Sequence, residues 1–231
     1  EIGWCDWSSD VCSSDLFGAL NELMGDGDVV INAAGSMPGD LQCLWQASTP
    51  EQYHVEYAFS CMGYEIPAAM GVKLARPEAE VVSIVGDGTY QMLPMELATI
   101  VQEKVKVIFV LLQNYGFASI GALSESHGSQ RFGTRYRTGE TPHNADGDLL
   151  PVDIAANAES WGLKVLRVHG MDEFRKAYAE AVACEGPVMI HIETDLYGPN
   201  PPGSSWWDVP ISEVSRLTST QQRLVDRKSV V

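Results

Sequence analysis

Cysteine is scarce in this chain. Five occur in 231 residues and no two form a Cys-x-x-Cys pair, so neither a disulfide framework nor a zinc-ligand spacing is present. Basic residues are also few, 15 Lys and Arg against 31 Asp and Glu, for a net charge of −16. A surface of that sign repels a phosphate backbone and leaves no basic footprint, which excludes nucleic acid as a partner. Long apolar runs are missing too. None approaches the roughly 20 residues that span a bilayer, and the N-terminus has no basic segment leading into an apolar one. The expectation is a soluble, cytoplasmic protein with no membrane association. What is present is a hydrophobic fraction of 45%, enough at this length to bury a sizeable core and to exclude a disordered tail.

The two ends differ in character from the rest. Trp7-Ser8-Ser9-Asp10-Val11-Cys12-Ser13-Ser14-Asp15-Leu16 repeats Ser-Ser-Asp without helical or alternating apolar periodicity, and it runs into a helical pattern beginning near Phe17. It resembles translated sequencing-adapter DNA, as does Asp226-Arg227-Lys228-Ser229-Val230-Val231. The expected division is therefore 1–16 and 226–231 as artefact, with 17–225 as one domain. Setting the ends aside leaves Cys43, Cys61 and Cys184 and a net charge of −13, so the acidic character stands.

From Phe17 onward, β-branched runs alternate with amphipathic stretches, the order that a parallel sheet with crossover helices requires. Strands are expected over 29–32, 81–85, 107–112, 164–168 and 188–192. Helices are expected over 66–75, with Pro67 in the first turn, and over 93–103, 152–161 and 171–184. The predicted fold class is α/β, a doubly wound and mostly parallel sheet with helices on both faces. The polar, glycine-containing stretch 124–148 is read as a long loop. Beyond Thr194, Gly198, Pro199, Pro201, Pro202 and Gly203 break regular structure before the Trp206-Trp207 pair.

The most informative stretch is Val81-Val82-Ser83-Ile84-Val85, then Gly86-Asp87-Gly88-Thr89, a helix, and a second apolar strand ending in Gln113-Asn114-Tyr115-Gly116. In a doubly wound sheet the two strand ends can be neighbours, so Asp87 and Asn114, 27 residues apart in the chain, can give oxygens to one hard cation such as Mg²⁺. Gly86 and Gly88 allow close backbone approach, and a helix N-terminus after Thr89 offers N–H groups to a phosphate. A Gly-Asp-Gly triplet alone indicates only a tight turn. The copy at Gly25-Asp26-Gly27 precedes a strand and is read as such. Ala34-Gly35-Ser36, after the first strand, could also present N–H groups of Gly35 and Ser36 to a diphosphate.

These residues resemble the signature of the thiamine-diphosphate enzymes, Gly-Asp-Gly followed by an Asn-containing turn. That resemblance implies the thiamine-diphosphate-binding fold, with Mg²⁺ held by Asp87, the Asn114 side chain and the Gly116 carbonyl. The usual Asn-Asn pair is here Gln113-Asn114, and the second position is the ligand. Phe59-Ser60-Cys61-Met62-Gly63-Tyr64-Glu65-Ile66-Pro67-Ala68-Ala69-Met70-Gly71 is similar to the segment beneath the cofactor's aminopyrimidine ring. By that likeness Met62 is the apolar fulcrum and the Ser60 carbonyl accepts from the ring amine. Ser60 stands where relatives often have Gly, which narrows its allowed dihedrals.

Tyr53-His54-Val55-Glu56-Tyr57, the run Gly116-Phe117-Ala118-Ser119-Ile120-Gly121 and Trp206-Trp207-Asp208 resemble the inositol-catabolic trihydroxycyclohexane-1,2-dione hydrolases. The resemblance implies cleavage of a ring C–C bond in a cyclic polyol diketone to give a 5-deoxy sugar acid, with Ser119 and Ile120 beside the cofactor. His54 and Glu56 are the candidate catalytic residues, since an imidazole titrates near neutrality and lies just before the cofactor segment. Glu65 is read as an exposed carboxylate flanking a helix, or as a group that positions hydroxyls. Arg131, Arg135, Arg137 and His127 are read as loop residues. The resemblance further implies a pyrimidine-binding domain, normally on a neighbouring subunit, that supplies an activating glutamate. The chain would then act within a homodimer or homotetramer. Two other readings are an acetolactate-synthase-like carboligase and a noncatalytic phosphate-binding module.

Overall fold

The structure is a computed structural model, and it describes residues 11–56, 58–139, 147–194, 211 and 214–228. They separate into two compact units, one built from chain up to Asn114 together with 152–201, the other from 115–151 and 202–231.

Among the described residues the first unit contains a six-stranded sheet, β1 Val29–Asn32, β2 Tyr53–Val55, β3 Val81–Gly86, β4 Ile108–Gln113, β5 Lys164–Val168 and β6 Val188–Glu193. The strand order is β2-β1-β3-β4-β6-β5, and every pairing is parallel. The expected strands are there. β2 is an addition to them, because three residues carry too little periodicity to be read.

Alternation along each strand explains the two layers. In β4, Ile108, Val110 and Leu112 point to one face, where they join Val30, Ile84 and Ile190 beneath Leu16, Phe17 and Leu20 of α1 (Ser13–Leu23), Leu41 of α2 (Met37–Leu44) and Phe174 of α8 (Met171–Ala183). Phe109 and Leu111 point the other way. They pack with Ile31, Val85 and Met189 under α3 (Glu65–Ala75), α4 (Asp87–Met92), α5 (Glu96–Gln102) and α7 (Ile154–Ser160) through Ile66, Tyr90, Leu97 and Ile154. Helices thus cover both faces, the doubly wound arrangement.

Three boundaries depart from expectation. The first helix begins at Ser13, four residues before Phe17, because Leu16 lies fully buried against the sheet. The helix expected over 93–103 starts only at Glu96, as α5, and a separate helix, α4, ends before Leu93-Pro94-Met95, since proline has no N–H to continue the ladder. α2 is unforeseen; Pro38 occupies its first turn, where a missing N–H costs nothing. The early Gly25-Asp26-Gly27 triplet forms the turn expected of it, closed by a bond from the Gly25 N–H to Asp28 Oδ2 at 2.7 Å.

The second unit contains α6 (Ala118–Ser126) and α9 (Thr218–Lys228). The stretch expected to be all loop is therefore helical as far as Ser126, and further on it forms bridges between Gly116 and Arg135 and between Arg137 and Leu149. Phe117 and Tyr136 meet edge to face at 5.6 Å. A Cβ on Gly116 would lie 2.2 Å from the Thr134 carbonyl oxygen, so no other residue fits there.

Two outcomes follow. Phe109→Ala is expected to lower unfolding free energy by about 3–5 kcal/mol, against about 0.5–1.5 for Ile108→Val, both measured by urea denaturation. Ser60 sits at φ +53, a left-handed conformation costing an L-residue about 1–2 kcal/mol. Ser60→Gly is therefore expected to be neutral or stabilising, whereas Ser60→Val, β-branched, loses about 1–2 kcal/mol in the same assay; the reverse order would contradict this backbone.

Candidate metal and cofactor site

The chain leaves β1 for β2 on one side and β3 for β4 on the other, so the strand order reverses between β1 and β3. Crevices at the carboxyl ends of strands at such a point are where open α/β sheets take ligands. Asn32-Ala33-Ala34-Gly35 and Gly86-Asp87 are the two carboxyl ends concerned.

The β3–β4 register brings Gly86 opposite Leu112, which carries Asp87 to the tip of β4. There Asp87 Oδ2 accepts the Asn114 N–H at 3.1 Å, and Oδ1 accepts the Gly88 N–H at 2.8 Å. Asp87 is 1% exposed. The Asn114 side-chain oxygen is buried without a hydrogen-bond partner. A carboxylate beside an amide oxygen with unused acceptor capacity is a donor set for a hard divalent cation. Among the described residues no three His, Cys, Asp or Glu side chains group together, so a metal here rests on this mixed set and main-chain oxygen. Gln113 takes no part: its Oε1 pairs with His191 Nε2 at 2.8 Å inside the sheet. Burial pushes the His191 pKa down, favouring a neutral ring.

The helix at this loop starts at Asp87, not after Thr89 as expected. Gly88 and Thr89 fall in its first turn, where N–H groups have no intrahelical acceptor. The Gly88 N–H is already used by Asp87, and the Thr89 hydroxyl is turned inward. On the neighbouring strand, Gly35 at φ +110 has open space where a Cβ would stand, and Ser36 opens α2 without capping it by its side chain. Room and first-turn N–H groups suit a diphosphate.

The second cofactor segment follows β2. His54 is half-buried and pairs in register with Ile31. Glu56 organises the next turn: Oε1 accepts the Phe59 N–H at 3.1 Å and Oε2 the Cys61 N–H at 2.5 Å. These main-chain donors hold its pKa below the usual carboxylate value. Ser60 and Cys61 are exposed at the turn and Met62 is half-buried behind them.

Glu65 overturns its reading as an exposed flanking carboxylate. It is 0% exposed, and burial raises its pKa against the opposing effect of its N–H and hydroxyl donors. Its Oε2 accepts the Gly63 N–H at 3.1 Å and the Thr89 hydroxyl at 2.9 Å. Asn32, at the carboxyl end of β1, is a buried polar residue that sequence reasoning does not single out. Its Nδ2 donates to the Ile84 carbonyl at 3.1 Å while Oδ1 stays buried and unpaired; an Asn closing a hydrophobic strand run is the available signal. Ser119 and Ile120 lie in α6 and Gly116 just before it, in the second unit. Trp206 and Trp207 lie outside the described residues.

Residues 33–192 match the thiamine pyrophosphate enzyme, C-terminal TPP binding domain family. The chain is 39% identical over 215 residues to a 3D-(3,5/4)-trihydroxycyclohexane-1,2-dione hydrolase of Bacillus thuringiensis (strain Al Hakam), covering 92% of this chain and 33% of the relative. It is 38% identical over 229 residues to the protein of that name from Clostridium botulinum (strain Alaska E43 / Type E3), covering 96% and 34%. The chain thus spans about a third of the length of these curated relatives. In fold it resembles a benzoylformate decarboxylase from Polynucleobacter necessarius, with TM-score 0.71 and 24% identity over 86% of this chain and 36% of that one. A thiamine diphosphate-dependent 4-hydroxybenzoylformate decarboxylase of Rhodococcus jostii RHA1 gives 0.70 and 23%, over 84% and 35%. With a parallel sheet, a reversal of strand order and an Asp-Asn pair at the strand tips beside that match, the chain belongs to the thiamine pyrophosphate enzymes and carries their C-terminal TPP-binding domain.

Proposed function

We propose that this chain is the diphosphate- and metal-binding domain of a cytoplasmic hydrolase of inositol catabolism, which opens the ring of trihydroxycyclohexane-1,2-dione to a 5-deoxy sugar acid. The observation that carries the cofactor part is the Asp87–Asn114 pair, with the amide oxygen left without a partner. The substrate part rests on relatives of that name at 38–39% identity over more than nine-tenths of the chain.

In this reading Asp87 and the Asn114 side chain hold Mg²⁺, and the Gly116 carbonyl, two residues along the chain, adds a third oxygen. The N–H groups of Gly35, Ser36 and Thr89 receive the diphosphate, with Gly86 and Gly88 leaving room for it. Ser60 offers its carbonyl to the aminopyrimidine, and Met62 supports the bend between the rings. Ser119 and Ile120 add further cofactor contacts. Bound there, thiamine diphosphate supplies an electron sink for the C–C bond that breaks. His54 moves the proton that ring opening requires. Glu56, kept ionised by two main-chain donors, is an acceptor for a polyol hydroxyl at the exposed turn.

The partner is a pyrimidine-binding domain that carries the activating glutamate, on a neighbouring subunit of a homodimer or homotetramer. Large apolar side chains exposed near the cofactor segments, Phe59 at 85% and Met95 at 60%, support a covered surface here, since such groups in one region mark interaction sites. Among the described residues no helix is long and apolar enough to cross a membrane.

Two experiments test this reading. Thiamine diphosphate titrated calorimetrically into the complete polypeptide is expected to bind tightly only with Mg²⁺, and Asp87→Ala or Asn114→Ala is expected to weaken it about 100-fold; affinity indifferent to Mg²⁺ refutes the metal assignment. Offered the cyclic diketone, the complete enzyme is expected to release the deoxy acid, with kcat lowered about 10²- to 10⁴-fold in His54→Asn and cofactor affinity retained. The 231-residue chain alone is expected to show no turnover. Consumption of pyruvate in place of the diketone would instead establish a carboligase.

A further inference from the structure

Glu65 is a buried carboxylate that the reaction outlined above does not use. With no exposed surface it touches neither cofactor nor substrate, so any effect passes through the groups it binds. Those groups come from two separate loops. Gly63 follows Met62 in the turn before α3, and Thr89 follows Gly86-Asp87-Gly88 in α4. The Gly63 N–H lies 2.6 Å from Thr89 Oγ1 and 3.1 Å from Glu65 Oε2, and the Thr89 hydroxyl donates to the same Oε2 at 2.9 Å. The three groups close a triangle.

The carboxylate is itself well anchored. Glu65 is the first residue of α3, and its carbonyl accepts the Ser83 hydroxyl of β3 at 3.1 Å. On the other side the Gly63 turn is pressed against the α4–α5 connection. A Cβ added at Gly63, where φ is +93, would stand 2.8 Å from Leu93 Cβ, so the turn has no slack toward α4. A carboxyl oxygen that accepts from two donors in a dry site holds both in place, because neither donor has water to turn to instead.

We infer that Glu65 is a positioning residue that ties the Met62–Gly63 turn to the Asp87–Thr89 turn, fixing the spacing between the support of the cofactor's ring system and the site of its diphosphate and metal. The inference rests on the cofactor placement proposed above. It concerns how the turns are held together, and Glu65 acts on the cofactor through the groups it binds, Gly63 and Thr89 together with the Ala34 main chain.

The test is calorimetric titration of thiamine diphosphate with Mg²⁺ into the complete polypeptide, alongside thermal melting of each cofactor-free variant. Glu65→Gln and Thr89→Val are each expected to weaken cofactor affinity about 10-fold at temperatures where they stay folded. Thr89→Ser keeps the hydroxyl that donates to Glu65 and is expected to recover most of the affinity that Thr89→Val loses. The double variant Glu65→Gln, Thr89→Val is expected to lose little more than either single one, because both break the same triangle. Variants that melt lower yet bind within twofold of wild type would show Glu65 to be a packing residue and overturn the inference. Should Glu65→Gln fail to fold, the Thr89→Val and Thr89→Ser pair decides in the same way. Wild-type protein that binds no cofactor with Mg²⁺ would overturn the underlying placement itself, which Asp87→Ala reports separately.

Discussion

Everything at this site depends on the register of β3 against β4. Only with Gly86 opposite Leu112 does the Asp87 carboxylate reach the Asn114 N–H. In a half-exposed sheet a one-residue slip is penalised because it turns the apolar set to water. Here both faces are buried, and in β4 Ile108, Val110 and Leu112 are as apolar as Phe109 and Leu111, so hydrophobicity alone distinguishes the two settings poorly. Polar residues break the degeneracy. Ser83 must meet the Glu65 carbonyl, Asn32 the Ile84 carbonyl and Gln113 the His191 ring. A slip of β3 would unpair the Ser83 and Asn32 contacts, and a slip of β4 the Gln113–His191 contact, at about 1–3 kcal/mol for each buried group. The same few side chains that look out of place in apolar strands are what hold the Asp87–Asn114 edge in line.

The layered fold was legible because alternating strand and helix periods leave few alternatives to a parallel sheet, and the β3 and β4 boundaries agree with the reading to within one residue. Asp87 and Asn114 were legible for the same reason: two strands ending in polar residues must present them at one edge. Other features were not. β2 is three residues long, and α2 starts with Pro38 and Gly39 in its first turn, which local propensity cannot separate from a loop. Glu65 escapes a local reading because a glutamate at a helix start is ordinarily solvated. Its burial is imposed by Gly63 and Thr89, one of them 24 residues further along the chain, and no local pattern reports that. The chain also passes into a second compact unit directly after Asn114, where composition shows no shift.

Buried acceptors without partners are rare in folded proteins because desolvation is not repaid. Among the described residues the amide and carboxylate oxygens in that condition are Asn32 Oδ1, Glu65 Oε1 and Asn114 Oδ1. Asn32 and Asn114 stand at the carboxyl ends of β1 and β4, and Glu65 opens α3 beside the Thr89 turn that follows β3. Had the fold been selected for stability alone, apolar residues of similar volume would serve better at these positions. Concentrating unfilled acceptors at this edge of the sheet leaves oxygen atoms there with capacity for a further donor or ligand.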